Sequence, residues 1–173
     1  TSSIFFSKQI FFIASKSSPQ LEKEAYMWFR SYAHALKNSK ADLVYISLPN
    51  SHHYYWAKKA LQKGFHVIVD KPICKNFSQA KSLVSLARKK NKLIAEATFF
   101  NYHKQFTEAL KILKESKNIQ HISANFIIPQ PEKKSILMSK KLSGGCFMDM
   151  APNAAAVPRV FCYGKVLSIK KNI

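Results

Sequence analysis

Between residue 10 and about residue 100, short apolar runs rich in β-branched and aromatic side chains alternate with longer segments of helical period, the rhythm of βαβ units in a parallel sheet. Ile10-Phe11-Phe12-Ile13-Ala14 predicts a first strand, followed by a helix from Pro19 to Phe29 that Ser17-Ser18-Pro19 opens. A short helix from Tyr32 to Lys37 follows, with Ser31 as its cap. Leu43 to Ser47 reads as a second buried strand and Tyr54 to Gln62 as a helix that stops at Lys63-Gly64, where glycine can take the left-handed cap conformation. Phe65 to Val69 is a third strand. The spacing of Leu83, Leu86 and Ala87 predicts a helix over Phe77 to Lys90, Leu93 to Ala97 is a fourth strand, and Gln105 to Lys114 another helix.

After Asn118 the texture changes. Gln120 to Ile128 reads as a longer alternating strand, Pro129 to Lys141 as a polar, lysine-rich excursion, Asp149 to Phe161 as an apolar helix and Val166 to Lys170 as a closing strand. Pro158 falls inside that helix, where proline typically costs ~3 kcal/mol or bends the axis. The expected fold class is α/β: a parallel sheet with helices over residues 1–117, followed over residues 118–173 by the start of an α+β domain.

With 47% apolar and 13% aromatic residues, a chain of 173 residues can bury a real core. Its 28 basic against 9 acidic residues give a net charge of +19, which raises nucleic acid, an anionic surface or a phosphorylated small molecule as partners. Arginine is confined to Arg30, Arg88 and Arg159, and the lysines are spread through helical segments. Sequence-specific nucleic-acid readers favour the planar arginine fork, so nucleic acid is not expected as the main partner. Cys74, Cys146 and Cys162 form no C-x-x-C pair, which points away from a zinc site or a disulfide scaffold and towards a reducing cytoplasm. The apolar stretch Ile4 to Ala14 carries Lys8 and falls short of the ~20 residues of a membrane span, and it has no signal-peptide pattern, so no membrane partner is expected.

The chemistry concentrates in Leu43 to Pro72, where strand, Leu48-Pro49-Asn50 turn, helix, Gly64, strand and Asp70-Lys71-Pro72 follow with little slack. In an open parallel sheet, residues just past the carboxyl ends of the strands line the ligand crevice. A lysine placed there can hydrogen-bond a substrate hydroxyl and relay its proton while hydride leaves the same carbon. Taken alone, Lys71 reads more readily as a solvated strand end, and only the whole arrangement around it reverses that preference.

Three segments together resemble the Gfo/Idh/MocA family of glucose-fructose oxidoreductases and inositol dehydrogenases. Asp42-Leu43-Val44-Tyr45-Ile46-Ser47-Leu48-Pro49-Asn50-Ser51-His52-His53 is similar to its D-x-V-x-I-x-x-P-N-x-x-H segment, and Gly64-Phe65-His66-Val67-Ile68-Val69-Asp70-Lys71-Pro72 to its G-K-H-V-x-x-E-K-P segment. Gly144-Gly145-Cys146-Phe147-Met148-Asp149-Met150-Ala151-Pro152-Asn153 resembles G-G-G-x-L-x-D-x-G-x-H. The likeness runs from about Ile10 to Gly164. It implies a partial Rossmann-type sheet ahead of a substrate and oligomerisation domain, an NAD(P)-dependent oxidoreductase acting on a sugar, nucleotide sugar or related polyol, and a homo-oligomer at full length.

The resemblance further implies that Lys71 is the catalytic lysine, that Leu48, Pro49, Asn50 and His53 lie along the nicotinamide cofactor, and that Asp70 replaces the usual glutamate beside it. Asp149 matches the substrate-binding acid. Asn153 stands where the family often carries a histidine; its amide can hold a sugar hydroxyl but cannot exchange a proton near pH 7. Glu96 to Gln105 resembles E-A-x-x-Y-R-x-H-P-Q and makes His103 a further substrate contact, the alternative being a surface histidine. Ser15 and Lys16, in a segment similar to A-S-R-S, suit a ribose 2′-phosphate and favour NADP over NAD, the alternative being a basic loop in a basic protein. His34, His66 and His121 read as structural, and Trp28 and Trp56 as core.

The family's first strand and G-x-G-x-x-G turn are expected about 25 residues before Ile10, whereas the glycines here are Gly64, Gly144, Gly145 and Gly164. The expectation is weak binding of NAD(P) by these residues alone. Asn153, Pro158 and the missing turn also leave open a non-catalytic binding remnant of the same family.

Overall fold

A computed structural model describes residues 12–14, 27–29, 31–98, 102–115, 119–162 and 168. Strands β1 (Phe12–Ala14) and β2 (Met27–Phe29) pair in parallel as one small sheet. Helix α1 (Tyr32–Asn38) leads to a second parallel sheet in the order β3-β4-β5, with β3 (Leu43–Ile46), β4 (His66–Asp70) and β5 (Ile94–Ala97). Helices α2 (Asn50–Gln62) and α3 (Phe77–Lys89) form the connections between these strands. α4 (Lys104–Glu115), two 3-10 turns at Ile136–Met138 and Lys140–Leu142, and α5 (Cys146–Phe161) complete the described elements. No helix among the described residues is long and apolar enough to cross a membrane.

The core lies between one face of the second sheet and helices α2 and α3. Ile46, Val67 and Val69 from the strands meet Ala57, Ala60 and Leu61 from α2 and Leu83 and Ala87 from α3. Burying each of the larger side chains stabilises the fold by about 2 kcal/mol. β4 is central, so its buried Val67 and Val69 need no polar neighbour, and its alternation with His66, Ile68 and Asp70 follows the two-residue strand period. Gly64 has φ +92°, the left-handed stop expected of it, which turns the chain from α2 into β4.

Helix α3 starts on a strong cap: the Asn76 carboxamide oxygen accepts from the Gln79 amide at 3.0 Å, and the Gln79 side chain accepts from the Lys75 amide at 3.0 Å. Asn76→Ala is expected to lower stability by about 1 kcal/mol, with Asn76→Asp close to unchanged. Urea unfolding midpoints of the two variants measure this directly.

Four expectations need correction. The helix predicted to run to Phe29 does not: Met27–Phe29 is a strand, because three adjacent large apolar residues carry no helical period and the parallel partner β1 decides the outcome. Residues 120–128 form no strand. Ile122 and Ala124 are half-buried between exposed neighbours, but no described strand lies alongside to complete the ladder. α2 begins at Asn50 rather than Tyr54, its first turn being polar and therefore invisible to apolar periodicity. α5 begins at Cys146 and runs through both Pro152 and Pro158. The closing strand predicted over Val166 to Lys170, apart from Ser168, and the sites Ser15 and Lys16 lie outside the described residues.

Candidate active site

Strands β3 and β4 are hydrogen-bonded neighbours, so the turns that leave their carboxyl ends lie side by side. The first turn, Leu48 to Asn50, enters α2 through Pro49, whose carbonyl accepts from the His52 amide at 2.8 Å. The second is Asp70 to Ile73, with a cis Lys71-Pro72 peptide.

Both turns are tied to the chain near the start of α5. The Asn50 side-chain amide donates to the Ser143 carbonyl at 2.9 Å. The Lys71 ammonium donates to the Asp149 carbonyl at 2.8 Å and to the Asp149 carboxylate. The Lys71 and Asp149 side chains are 22% and 16% exposed, open enough for a ligand to reach and sheltered enough that solvent screens the pair only partly. Residues 78 apart in sequence thus form one charged centre. Asn153 lies four residues beyond Asp149 on α5, and therefore on the same helix face.

Gly144 makes this approach possible. A side chain there would place Cβ 2.5 Å from the carbonyl oxygens of Ile136 and Leu137, so the turn ahead of α5 closes only on glycine. Ser143 beside it takes φ +58°, and the Gly145 amide donates to the Leu137 carbonyl at 2.6 Å.

His53, expected along the cofactor, is completely enclosed (0% exposed) and so cannot touch a ligand in this arrangement. Its Nδ1 lies 2.7 Å from the Pro72 carbonyl oxygen and its Nε2 2.5 Å from that of Leu48. The ring therefore joins the two turns from beneath. A neutral imidazole can donate to one of these carbonyls, and the doubly protonated ring to both.

Asp70 accepts from the Tyr45 hydroxyl at 2.5 Å. That hydrogen bond, reinforced by burial and by the Asp70 charge, pushes the Tyr45 phenol from 10.0 up to about 12. The folded chain therefore holds this proton to higher pH than the unfolded one. Its stabilisation is complete below pH 10 and is lost as the pH rises from 10 to about 12. In an ultraviolet titration of the seven tyrosines, one is expected to ionise near pH 12 and to disappear in Tyr45→Phe. Asp70→Asn should return it towards 10; a late-titrating tyrosine surviving in both variants would contradict the assignment.

His103 is exposed at the head of α4, where its Nδ1 accepts from the Gln105 amide at 3.2 Å, so the ring caps its own helix. His66 is structural, with Nδ1 accepting from the Leu93 amide at 3.0 Å. Trp56 packs edge-on to Tyr32 against the core. Burial pushes the Cys74 thiol up, against a lowering by a backbone hydrogen bond with Asn76, which leaves it an inert core thiol.

Sequence reasoning gave no role to Glu96. On β5 its carboxylate accepts from the Ile73 amide at 2.9 Å and from the Thr98 hydroxyl at 3.3 Å. Its signal was available: an acid inside an apolar strand needs a partner.

Residues 8–98 match the Gfo/Idh/MocA oxidoreductase family with an NAD-binding Rossmann fold. The chain is 30% identical over 153 residues to a dTDP-3,4-didehydro-2,6-dideoxy-alpha-D-glucose 3-reductase of Saccharopolyspora spinosa, covering 87% of this chain and 45% of that protein. It is 26% identical over 135 residues to D-xylose 1-dehydrogenase (NADP(+)) 2 of Haloferax volcanii, covering 77% and 42%. Among solved structures, the 3-ketoreductase KijD10 of Actinomadura kijaniata in complex with NADP and TDP-benzene superimposes with a TM-score of 0.81 at 26% identity, covering 88% of this chain and 49% of that one. The chain spans about half the length of the curated relatives it matches.

Proposed function

This chain belongs to the Gfo/Idh/MocA oxidoreductase family, and from that membership we propose that it serves hydride transfer between NADP and a nucleotide-linked keto sugar, with Lys71 as the proton donor. The observation that carries the proposal is the Lys71 ammonium, held by Asp149 at the carboxyl end of β4 and still open to a ligand. A sugar carbonyl that gains hydride at carbon develops negative charge on oxygen, and a positioned ammonium stabilises that charge and then supplies the proton.

The residues present fit the nicotinamide end of the cofactor. Pro49, Asn50, Asp70 and Lys71 leave the carboxyl ends of two adjacent parallel strands, the position of the ligand crevice in an open α/β sheet. Bound there, the nicotinamide supplies or accepts the hydride. Asp149 keeps the Lys71 ammonium oriented, and Asn153, one turn further along α5, offers an amide to a neighbouring sugar hydroxyl. Ser15 and Lys16 are proposed to meet the 2′-phosphate, which agrees with NADP in the KijD10 complex and in the name of the Haloferax dehydrogenase.

NADPH titration followed by nicotinamide fluorescence, together with NADPH oxidation by a dTDP-linked keto sugar, tests the proposal. It is to be run on these 173 residues and on the same chain extended at its N-terminus by a strand and G-x-G-x-x-G turn. Weak binding by the former and turnover by the latter are expected. A folded extended chain that binds NADPH without turnover would favour a second reading, a non-catalytic sugar-binding member of the family. Asn153 is the observation on its side, since its amide cannot exchange the proton.

A further inference from the structure

The turn that carries Lys71 is held at a single peptide unit. The carbonyl of Pro72 faces His53 Nδ1 at 2.7 Å, and the amide of Ile73, the other half of the same planar group, donates to the Glu96 carboxylate at 2.9 Å. His53 reaches it from the first turn of α2 and Glu96 from β5, so the group is gripped by a helix that packs on β4 and by the strand beside β4. Pro72 is buried and Ile73 packs against the core, leaving water little access to either bond. We propose that His53 and Glu96 are positioning residues, which clamp the Pro72–Ile73 peptide from its two ends and thereby hold the Lys71 side chain against Asp149.

Three features support a clamp over incidental packing. An imidazole donor on the carbonyl and a carboxylate acceptor on the amide polarise the peptide in the same sense, so each bond strengthens the other. Both side chains are confined at their far ends: His53 is fully enclosed, with Nε2 2.5 Å from the Leu48 carbonyl oxygen, and Glu96 accepts from the Thr98 hydroxyl at 3.3 Å. The clamped unit begins one residue beyond Lys71, so any rotation of it swings the Lys71 backbone and moves the ammonium away from Asp149. The same ring connects the Leu48 turn, so the two strand-end turns move together.

The proposal rests on the assignment of Lys71 to the reaction, yet it can be read without turnover. Two measurements are made on the 173-residue chain: acetylation of Lys71 by acetic anhydride relative to exposed Lys63, read by mass spectrometry, and amide exchange at Ile73 relative to Val67, read by NMR. The variants are Glu96→Ala, Glu96→Gln, His53→Gln and His53→Asn. Asparagine keeps a donor where Nδ1 stands and glutamine does not. Ile73 exchange is expected to rise about tenfold in Glu96→Ala, the loss of one hydrogen bond to a charged group, and less in Glu96→Gln, which keeps an acceptor. Lys71 acetylation should rise about threefold or more in Glu96→Ala and His53→Gln and be restored by His53→Asn, while Val67 exchange stays put.

Unchanged Ile73 exchange and Lys71 acetylation in folded Glu96→Ala or His53→Gln would overturn the clamp. So would a rise at Ile73 and Val67 alike in all variants, the sign of general loosening. If Glu96→Ala fails to fold, Glu96→Gln decides by the same two signals. A chain that shows these shifts but transfers no hydride when extended would overturn the functional reading and leave the clamp standing; unchanged shifts with measurable turnover would do the reverse.

Discussion

Lys71→Met is expected to lower kcat for hydride transfer by about a thousandfold, within the range that positioned acid–base groups supply. Methionine keeps the length of the side chain and removes the charge, so the substitution separates chemistry from packing. NADPH affinity should change little, because Lys71 is proposed to meet the sugar oxygen at the reacting end of the site. The loss should therefore fall on kcat and kcat/KM together, the mark of an interaction made in the transition state. Asp149→Asn keeps an acceptor for the ammonium but no countercharge, and a loss of roughly tenfold is expected. Turnover by Lys71→Met above a tenth of the unsubstituted rate would rule out Lys71 as the proton donor.

Gly144→Ala should cost about 3 kcal/mol of stability, a large effect for the addition of one methyl group. The added carbon would lie 2.5 Å from two backbone carbonyl oxygens, Ile136 and Leu137, neither of which can rotate away as a side chain would. Relief requires moving the 3-10 turns away from the start of α5, which breaks the Gly145–Leu137 hydrogen bond and shifts Ser143, the acceptor of Asn50. Stability and site geometry should fail together. Thermal unfolding gives the first, and acetylation of Lys71, freed from Asp149, gives the second. Gly145→Ala is a useful contrast: no atom lies within 4 Å of its added carbon, and only its φ of +106° resists the change, so a smaller loss is expected. Equal stability of Gly144→Ala and the unsubstituted chain would remove the basis for this assignment.

The two substitutions probe the same joint from opposite sides. Lys71 and Asn50 belong to the parallel-sheet half and reach across to Asp149 and Ser143, which the 3-10 turns and Gly144 bring within range. Neither half forms the charged centre alone. A ligand that inserts between Lys71 and Asp149 would replace one ionic partner with another, so ligand binding and the seating of α5 should be coupled.

Much of the sheet half was legible in the chain because its signals are local. Alternation in His66–Asp70, the Leu83 and Ala87 spacing, the Ser31 cap and the left-handed Gly64 each depend on a few neighbouring residues, and each is found in place. The motifs around Asn50 and Lys71 identified the family for the same reason, since strand-end residues keep their order along the chain. What the sequence could not supply was any fact that needs a second segment. Met27–Phe29 becomes a strand only because β1 lies beside it, and residues 120–128 form no strand because no described strand lies alongside them. His53 moves from an expected ligand contact to an enclosed bridge, and Glu96 from an unassigned acid to the partner of Ile73. Short-range pattern reports the free energy of a residue in its own helix or strand. The pairing of buried polar groups depends on distances set only when the turns at the ends of β3, β4 and β5 are brought together.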